Sequence, residues 1–147
     1  MSDPMLSIAT VQEIRDQCLC LAAQRAARRL ARRFDRVFAP LGLTNGQFSM
    51  LVALSGTWHP RLSELAAFLG MDSTTVTAAM KTLERRGLVE LQPDPDDARA
   101  RRPRLTGSGR DLVGRAVPLW REEHARVQAD LRGAEAAALA RTLADLG

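Results

Sequence analysis

Short hydroxyls and cations recur at helical spacing in one part of the chain. Ser73, Thr77 and Lys81 lie four residues apart, Thr74 and Ala78 stand beside them, and Arg85 and Arg86 follow one turn on. Val76, Ala79, Met80 and Leu83 form the opposite, apolar face. Asp72 is placed to accept backbone N–H bonds at the start of this helix, and Gly87 to end it in a left-handed conformation. Short side chains let a helix sink into the DNA major groove. There hydroxyls bond bases or phosphates, methyls touch thymine, and the trailing arginines meet phosphates.

A second group of candidate residues follows at once. Leu88-Val89-Glu90-Leu91-Gln92 alternates as a strand, and Pro93-Asp94-Pro95-Asp96-Asp97 is a run of turn-formers that stops it. Arg99, Arg101, Arg102 and Arg104 come next, four arginines in six residues, and Leu105 ends the return strand. Burying them is costly, so they belong in solvent or on phosphate. An arginine at such a hairpin tip fits the narrow, electronegative minor groove. Asp97 is placed to hold that arginine through a charge-assisted hydrogen bond. Pro103 cannot donate to a ladder, so the return strand is expected to be frayed or edge-only there. The plain alternative is a surface helix followed by a solvated loop; helix and basic hairpin in sequence weigh against it.

The elements around these residues read as helices. The expected architecture is mainly α with a small β-hairpin wing, a winged helix-turn-helix flanked by N- and C-terminal helices. Residues 1–10 read as a loose terminus. A long helix is expected over 11–39, with Leu19, Ala23, Ala26, Leu30, Phe34 and Val37 on one stripe and Arg25, Arg28, Arg29, Arg32, Arg33 and Arg36 on its other faces. Pro40-Leu41-Gly42-Leu43 breaks it. Thr44 with Gln47 makes a capping box for a helix whose core face is Phe48, Leu51, Val52 and Leu54. Residues 56–61 connect it to the helix that starts at Leu62, with room for a short extra strand. After Thr106 a helix to about 131 carries Pro118, expected to kink it. A break at Arg132-Gly133 leads to a last helix over 134–146 with Leu139, Leu143 and Leu146 on one side. We read residues 1–147 as a single domain, with 44–106 as the reading core and 11–39 and 107–146 as dimerisation helices. Their stripes exceed what one small reader can cover, and a twofold dimer is the commonest solution.

Bulk properties narrow the function. The 147 residues suffice for one domain, and 21 Lys+Arg against 17 Asp+Glu give a formal charge of +4, mildly favouring an anionic partner. Lys81 is the single lysine. No apolar run reaches the roughly 20 residues that cross a bilayer, and no secretory leader pattern opens the chain, so a cytoplasmic location and no membrane partner are expected. Neither a glycine-rich phosphate loop nor a serine-elbow motif is present. Cys20 with His59 or His124 can be written as a dyad, but no oxyanion device accompanies it. The chain reads as no enzyme, without a cofactor. Two isolated histidines at no ligand spacing argue against a metal site. The competing class is a winged helix that docks proteins; it predicts little salt dependence, where DNA binding predicts a steep one.

Several motifs then appear in order. Leu62-Ser63-Glu64-Leu65-Ala66, Asp72-Ser73-Thr74-Thr75-Val76-Thr77, Leu83-Glu84-Arg85-Arg86-Gly87-Leu88-Val89, Asp97-Ala98-Arg99-Ala100 and Leu105-Thr106 resemble the MarR family of bacterial transcription regulators, from about Ile14 to the C-terminus. The resemblance implies a homodimeric regulator of the repressor type on a near-palindromic duplex operator. Ser73, Thr74, Thr75, Thr77, Lys81 and Arg85 would face the major groove, and Arg99, oriented by Asp97 and followed by Arg101, the minor groove. Cys20 matches the reactive cysteine of the family's peroxide-sensing branch by its distance from Leu43-Thr44 and by the preceding Asp16-Gln17. Cys18 stands beside it. That branch surrounds its cysteine with tyrosines, this chain has none, and Gln24, Phe34 and Phe48 stand in their places. The alternative is that both cysteines are small apolar core residues. Positions two apart on a helix point in different directions, so the pair is not expected to bridge. Family members also bind aromatic acids between dimerisation helices and reader. Phe34, Phe38, Phe48, Trp58 and His59 would border that region here, with Arg29, Arg32 or Arg33 to pair a carboxylate; ordinary core packing is the plainer reading of these aromatics.

Overall fold

The computed structural model describes residues 6–147. It divides into two compact units, Met1–Arg33 and Phe34–Gly147. The first unit holds α1 (Ile8–Gln17) and most of α2 (Leu19–Phe38). The loose terminus expected over 1–10 lies outside the described residues for 1–5 and is helical from Ile8. The reason is local: the Ser7 hydroxyl accepts the Thr10 N–H at 3.1 Å, a good N-cap. The single helix expected over 11–39 is also interrupted. Cys18 is extended, at φ −70° and ψ 104°; its N–H closes α1 on Ile14 O, and its sulfur accepts the Leu21 N–H at 3.4 Å to open α2.

In the second unit a short 3-10 turn (Ala39–Leu41) ends at Gly42, and the chain continues through α3 (Asn45–Ala53), α4 (Leu62–Leu69), α5 (Ser73–Arg85), β1 (Val89–Pro93), β2 (Arg101–Leu105), α6 (Gly107–Asp130) and α7 (Ala136–Ala144). The capping box at Thr44 and Gln47 forms as expected, with Gln47 N–H on Thr44 Oγ1 and Thr44 N–H on Gln47 Oε1, both at 3.1 Å. Phe38, Leu51, Leu65, Val76, Met80, Leu83 and Val89 are wholly buried and bring α2's end, α3, α4, α5 and the hairpin onto one core. Val52, expected in it, is exposed. Gly133, at φ +74°, makes the expected break between α6 and α7. Gln128 spans that turn, accepting the Ala136 N–H at 2.7 Å and donating to Ala134 O at 2.9 Å.

The hairpin is better formed than Pro103 suggested. Its antiparallel ladder runs through all five pairs, from Val89↔Leu105 to Pro93↔Arg101, with Leu91 opposite Pro103. The flanking bonds Thr106 N–H to Leu88 O and Asp94 N–H to Ala100 O put the hydrogen-bonded pairs at even register. Pro103 and Pro93 therefore fall where no ladder donor is required. The Leu91 N–H turns away from β2 and donates to Glu84 Oε2 at 2.9 Å, which ties the hairpin to α5. No extra strand forms over 56–61 among the described residues; the sheet has two strands.

Candidate nucleic-acid interface

Helix α5 begins as its sequence requires. Asp72 Oδ1 accepts the Thr75 N–H at 2.8 Å and Asp72 Oδ2 the Thr75 hydroxyl at 2.7 Å. These bonds, the hydroxyl first, hold the Asp72 carboxyl below its ordinary range. The helix ends on Gly87, at φ +71°, with Leu88 N–H reaching back to Leu83 O. Val76, Met80 and Leu83 are buried between these ends. The opposite face is left open, and Ser73, Thr74, Thr77, Ala78 and Lys81 line one shallow concave surface along it.

The hairpin joins that surface. Ser73, Thr77 and Lys81 of α5, Arg61 and Ser63 at the start of α4, and Arg99 and Arg101 of the wing line a single open cleft of about 630 Å³. Two surfaces proposed from separate parts of the sequence thus face one space. Arg99 is exposed at the tip, and Arg101 donates to Ala98 O and Ala100 O, both at 3.0 Å, which curls the tip back on itself. Arg85 is exposed at the end of α5 and donates to the Thr82 hydroxyl at 3.1 Å.

Three expectations change in detail. Asp97 does meet Arg99, but through the backbone: its Oδ1 accepts the Arg99 N–H at 2.9 Å. It shapes the tip as an Asx turn rather than gripping a guanidinium. Thr75 is spent as the partner of the Asp72 cap and does not line the cleft. The aromatic border of an effector site is also redrawn. Phe34, Phe38 and Phe48 form a buried stack, with ring centroids 5.9 and 4.5 Å apart, because the end of α2 from Phe34 onward shares a core with α3. Trp58 pairs instead with Phe68, edge to face at 5.2 Å, and His59 gives its carbonyl to Arg102. Of those aromatics Phe48 alone borders an open apolar concavity, about 540 Å³, with Val52, Phe68, Val117, Trp120 and Arg121.

The site also depends on a residue the sequence reading passed over as a turn-former. Asp94 is buried beneath the wing, and its carboxylate accepts from Arg61 Nε at 2.9 Å, from Arg102 Nε, and from the Asp96 and Asp97 N–H groups at 2.9 and 3.0 Å. The Arg61 bond is the main reason its carboxyl stays far below the usual carboxylate range, and Arg61 is raised in return. A signal did exist: an aspartate that opens a Pro/Asp turn is well suited to capture the N–H groups two and three residues on.

In the first unit, Cys20 is exposed and Cys18 half-buried in the single chain. Gln24 Nε2 donates to Cys20 Sγ at 3.2 Å. Since the chain is not helical at Cys18, helix geometry no longer separates the two thiols. Among the described residues no helix is long and apolar enough to cross a membrane, and no cluster of His, Cys, Asp or Glu could hold a metal.

Comparison with known proteins fits this geometry. Residues 43–100 match the model of the MarR family. A DNA complex of the M. tuberculosis transcriptional regulator MosR aligns at 41% identity over 88% of this chain and 93% of that one, with a TM-score of 0.78. The transcriptional repressor CouR, bound to a 23-mer duplex, aligns at 31% identity over 99% of both chains, again with a TM-score of 0.78. Among curated relatives, the repressor NicR of Pseudomonas putida is 35% identical over 80 residues, 54% of this chain and 51% of that protein. The chain spans about half the length of the curated relatives it matches. With near-complete coverage at 41% identity and a winged helix-turn-helix in the expected place, the chain belongs to the MarR family.

Proposed function

We propose that this protein is a DNA-binding transcriptional regulator of the repressor type, acting in the cytoplasm as a homodimer on a near-palindromic operator. The observation that carries the reading is the shared cleft. Ser73, Thr77 and Lys81 project from a helix narrow enough for the major groove, while Arg99 and Arg101 bound the same space from the wing. MosR and CouR, similar to this chain over nearly their whole length, are both seen bound to DNA, and NicR and CouR are named repressors. Two reading heads related by a twofold axis would contact half-sites about one helical turn apart. Residues 107–146 and the N-terminal helices supply the dimer: Ile8, Val11, Ile14, Leu139, Leu143 and Leu146 are all exposed in the single chain.

The test is a salt titration of the purified protein on a fluorescent duplex from its own upstream region. Binding should weaken steeply, with a log–log slope near the number of phosphates neutralised. Binding that is flat in salt, or absent from that duplex and from genomic fragments, would replace this reading with protein docking through the winged helix.

Two observations bear on what relieves repression. The apolar concavity beside Phe48 carries Arg121, a combination suited to an aromatic acid. The exposed Cys20, with the Gln24 amide on its sulfur, favours a second reading in which peroxide is the signal. Repeating the titration with aromatic acids, and with organic hydroperoxide on wild type and Cys20→Ser, separates them. Release by hydroperoxide that Cys20→Ser resists would assign the thiol; release by the acid alone would assign the concavity.

A further inference from the structure

We propose that Asp94, clamped between Arg61 and Arg102, is a positioning residue that sets where the wing tip, and hence Arg99, stands relative to the recognition helix α5. This rests on the DNA-binding reading above. The ladder of β1 and β2 ends at Pro93 and Arg101. Arg99 is carried by the loop beyond it, so strand pairing alone does not fix its position. Asp94 does so from below. Its carboxylate takes five hydrogen bonds from three places: the loop (Asp96 and Asp97 N–H), the return strand (Arg102 Nε) and the start of α4 (Arg61 Nε and Nη2). Its own N–H closes the loop on Ala100 O at 3.1 Å. Arg102 extends the same network to His59 O in the connection before α4. Arg61 also lines the cleft that Arg99 faces. The wing is thus joined to the helix-turn-helix by a side-chain clamp around one buried carboxylate, beside the connection that had room for a short extra strand and forms none.

The clamp has a distinctive consequence. Removing a negative charge near a DNA surface ordinarily strengthens binding, because it lowers repulsion with phosphate. If Asp94 positions Arg99, its neutral isostere does the opposite. An amide presents an N–H₂ to at least one guanidinium, the fork opens, and the tip loses its anchor.

The experiment is a double-mutant cycle on operator binding with wild type, Asp94→Asn, Arg99→Ala and the double variant, after thermal melts show each is folded. We expect Asp94→Asn to weaken binding roughly tenfold, within the range for coupled neighbouring groups, and to cost little more once Arg99 is gone. Arg61→Lys keeps the charge and loses the fork; it should weaken binding in the same direction, and it serves if Asp94→Asn does not fold. Equal or tighter binding by the folded Asp94→Asn protein, or additive losses in the cycle, would overturn the clamp while leaving DNA binding intact. Should Asp94→Asn not fold, Arg61→Lys binding like wild type overturns it. Wild type that fails to bind DNA overturns the DNA-binding reading and the clamp together.

Discussion

The reading head and the terminal helices solve different problems with similar sequence material. From Thr44 to Thr106 the ends of elements are tied by named partners: Thr44 to Gln47, Asp72 to Thr75, Glu84 to Leu91, and Thr106 to both Gly87 O and the Gly109 N–H. The faces that carry Leu65, Val76, Met80 and Leu83 are covered, each at 0% exposure, although Phe68 and Val52 stay exposed. By contrast α1 and α7, ten and nine residues long, bury nothing, and Leu139 and Leu143 are 44% and 45% exposed. Helices this short are marginal alone in water, so their stability must come from tertiary or quaternary packing. One region has its core within the chain; the other would be covered by the proposed dimer.

Truncating the reader's core should show the first half of this contrast most strongly. Leu83→Ala removes a wholly buried side chain and should cost about 2–5 kcal/mol in denaturant unfolding, with the dimer still seen by sedimentation at working concentration. A subtler core variant is Gly109→Ala. A Cβ there would stand 2.2 Å from Leu88 O and 2.8 Å from Leu105 Cδ1, with backbone on one side and the hairpin on the other. We expect roughly 1–3 kcal/mol of destabilisation, the usual range for overpacking. Wild-type stability for Leu83→Ala would mean that α5 is not packed as described, and for Gly109→Ala that the first turn of α6 and the hairpin are not.

The terminal helices should respond in another observable. Leu143→Asp places a charge on a stripe that is exposed in the single chain, so a self-sufficient protomer would barely notice it. If that stripe is buried between protomers, the variant sediments as a monomer, and operator binding falls because two half-sites are no longer read together. An unchanged dimer would move the interface elsewhere.

What the sequence made legible follows the same division. Capping residues, the helix break at Gly87 and the recognition face could be read because each depends on neighbours within a turn. The wing was recognised from charge and turn-formers. Its register could not be, and with it went the insight that both prolines sit at positions without ladder donors. Asp94 was hidden for a related reason: its guanidinium partner Arg61 lies 33 residues away. Cys18 is the third case, a residue whose sulfur caps α2 where helical periodicity ran straight through. For the aromatic residues, spacing alone does not tell a stack from a wall; the plainer reading, core packing, holds for Phe38 on Phe48.

Within the reader, the recognition helix and the wing can be compared side chain by side chain. Thr77→Ala and Lys81→Ala should each cost about 1 kcal/mol in operator affinity without altering stability, since both are on the open face. Only Lys81→Ala should also flatten the salt dependence, by about one phosphate contact. If both bind like wild type, the helix is not used as proposed.

The smallest effect concerns pH and discriminates between two origins of wing order. Asp94 has its folded-state carboxyl far below the unfolded value, because Arg61 and then the loop N–H groups and Arg102 favour the charged form. A group depressed in this way contributes stability that is present above the unfolded carboxylate range, near 4, and is lost only as the pH falls through the folded value. The clamp should therefore be intact throughout the range in which operator binding can be measured. The ratio of wild-type to Asp94→Asn affinity is expected to stay constant from pH 8 to pH 5. A ratio that shrinks toward one by pH 5 would show that the Asp94 carboxyl is raised rather than lowered, since even an ordinary carboxylate is still mostly charged there. The wing would then be held by its strand ladder alone, and the exposed tip carrying Arg99 would behave like the terminal helices, ordered only by what it binds.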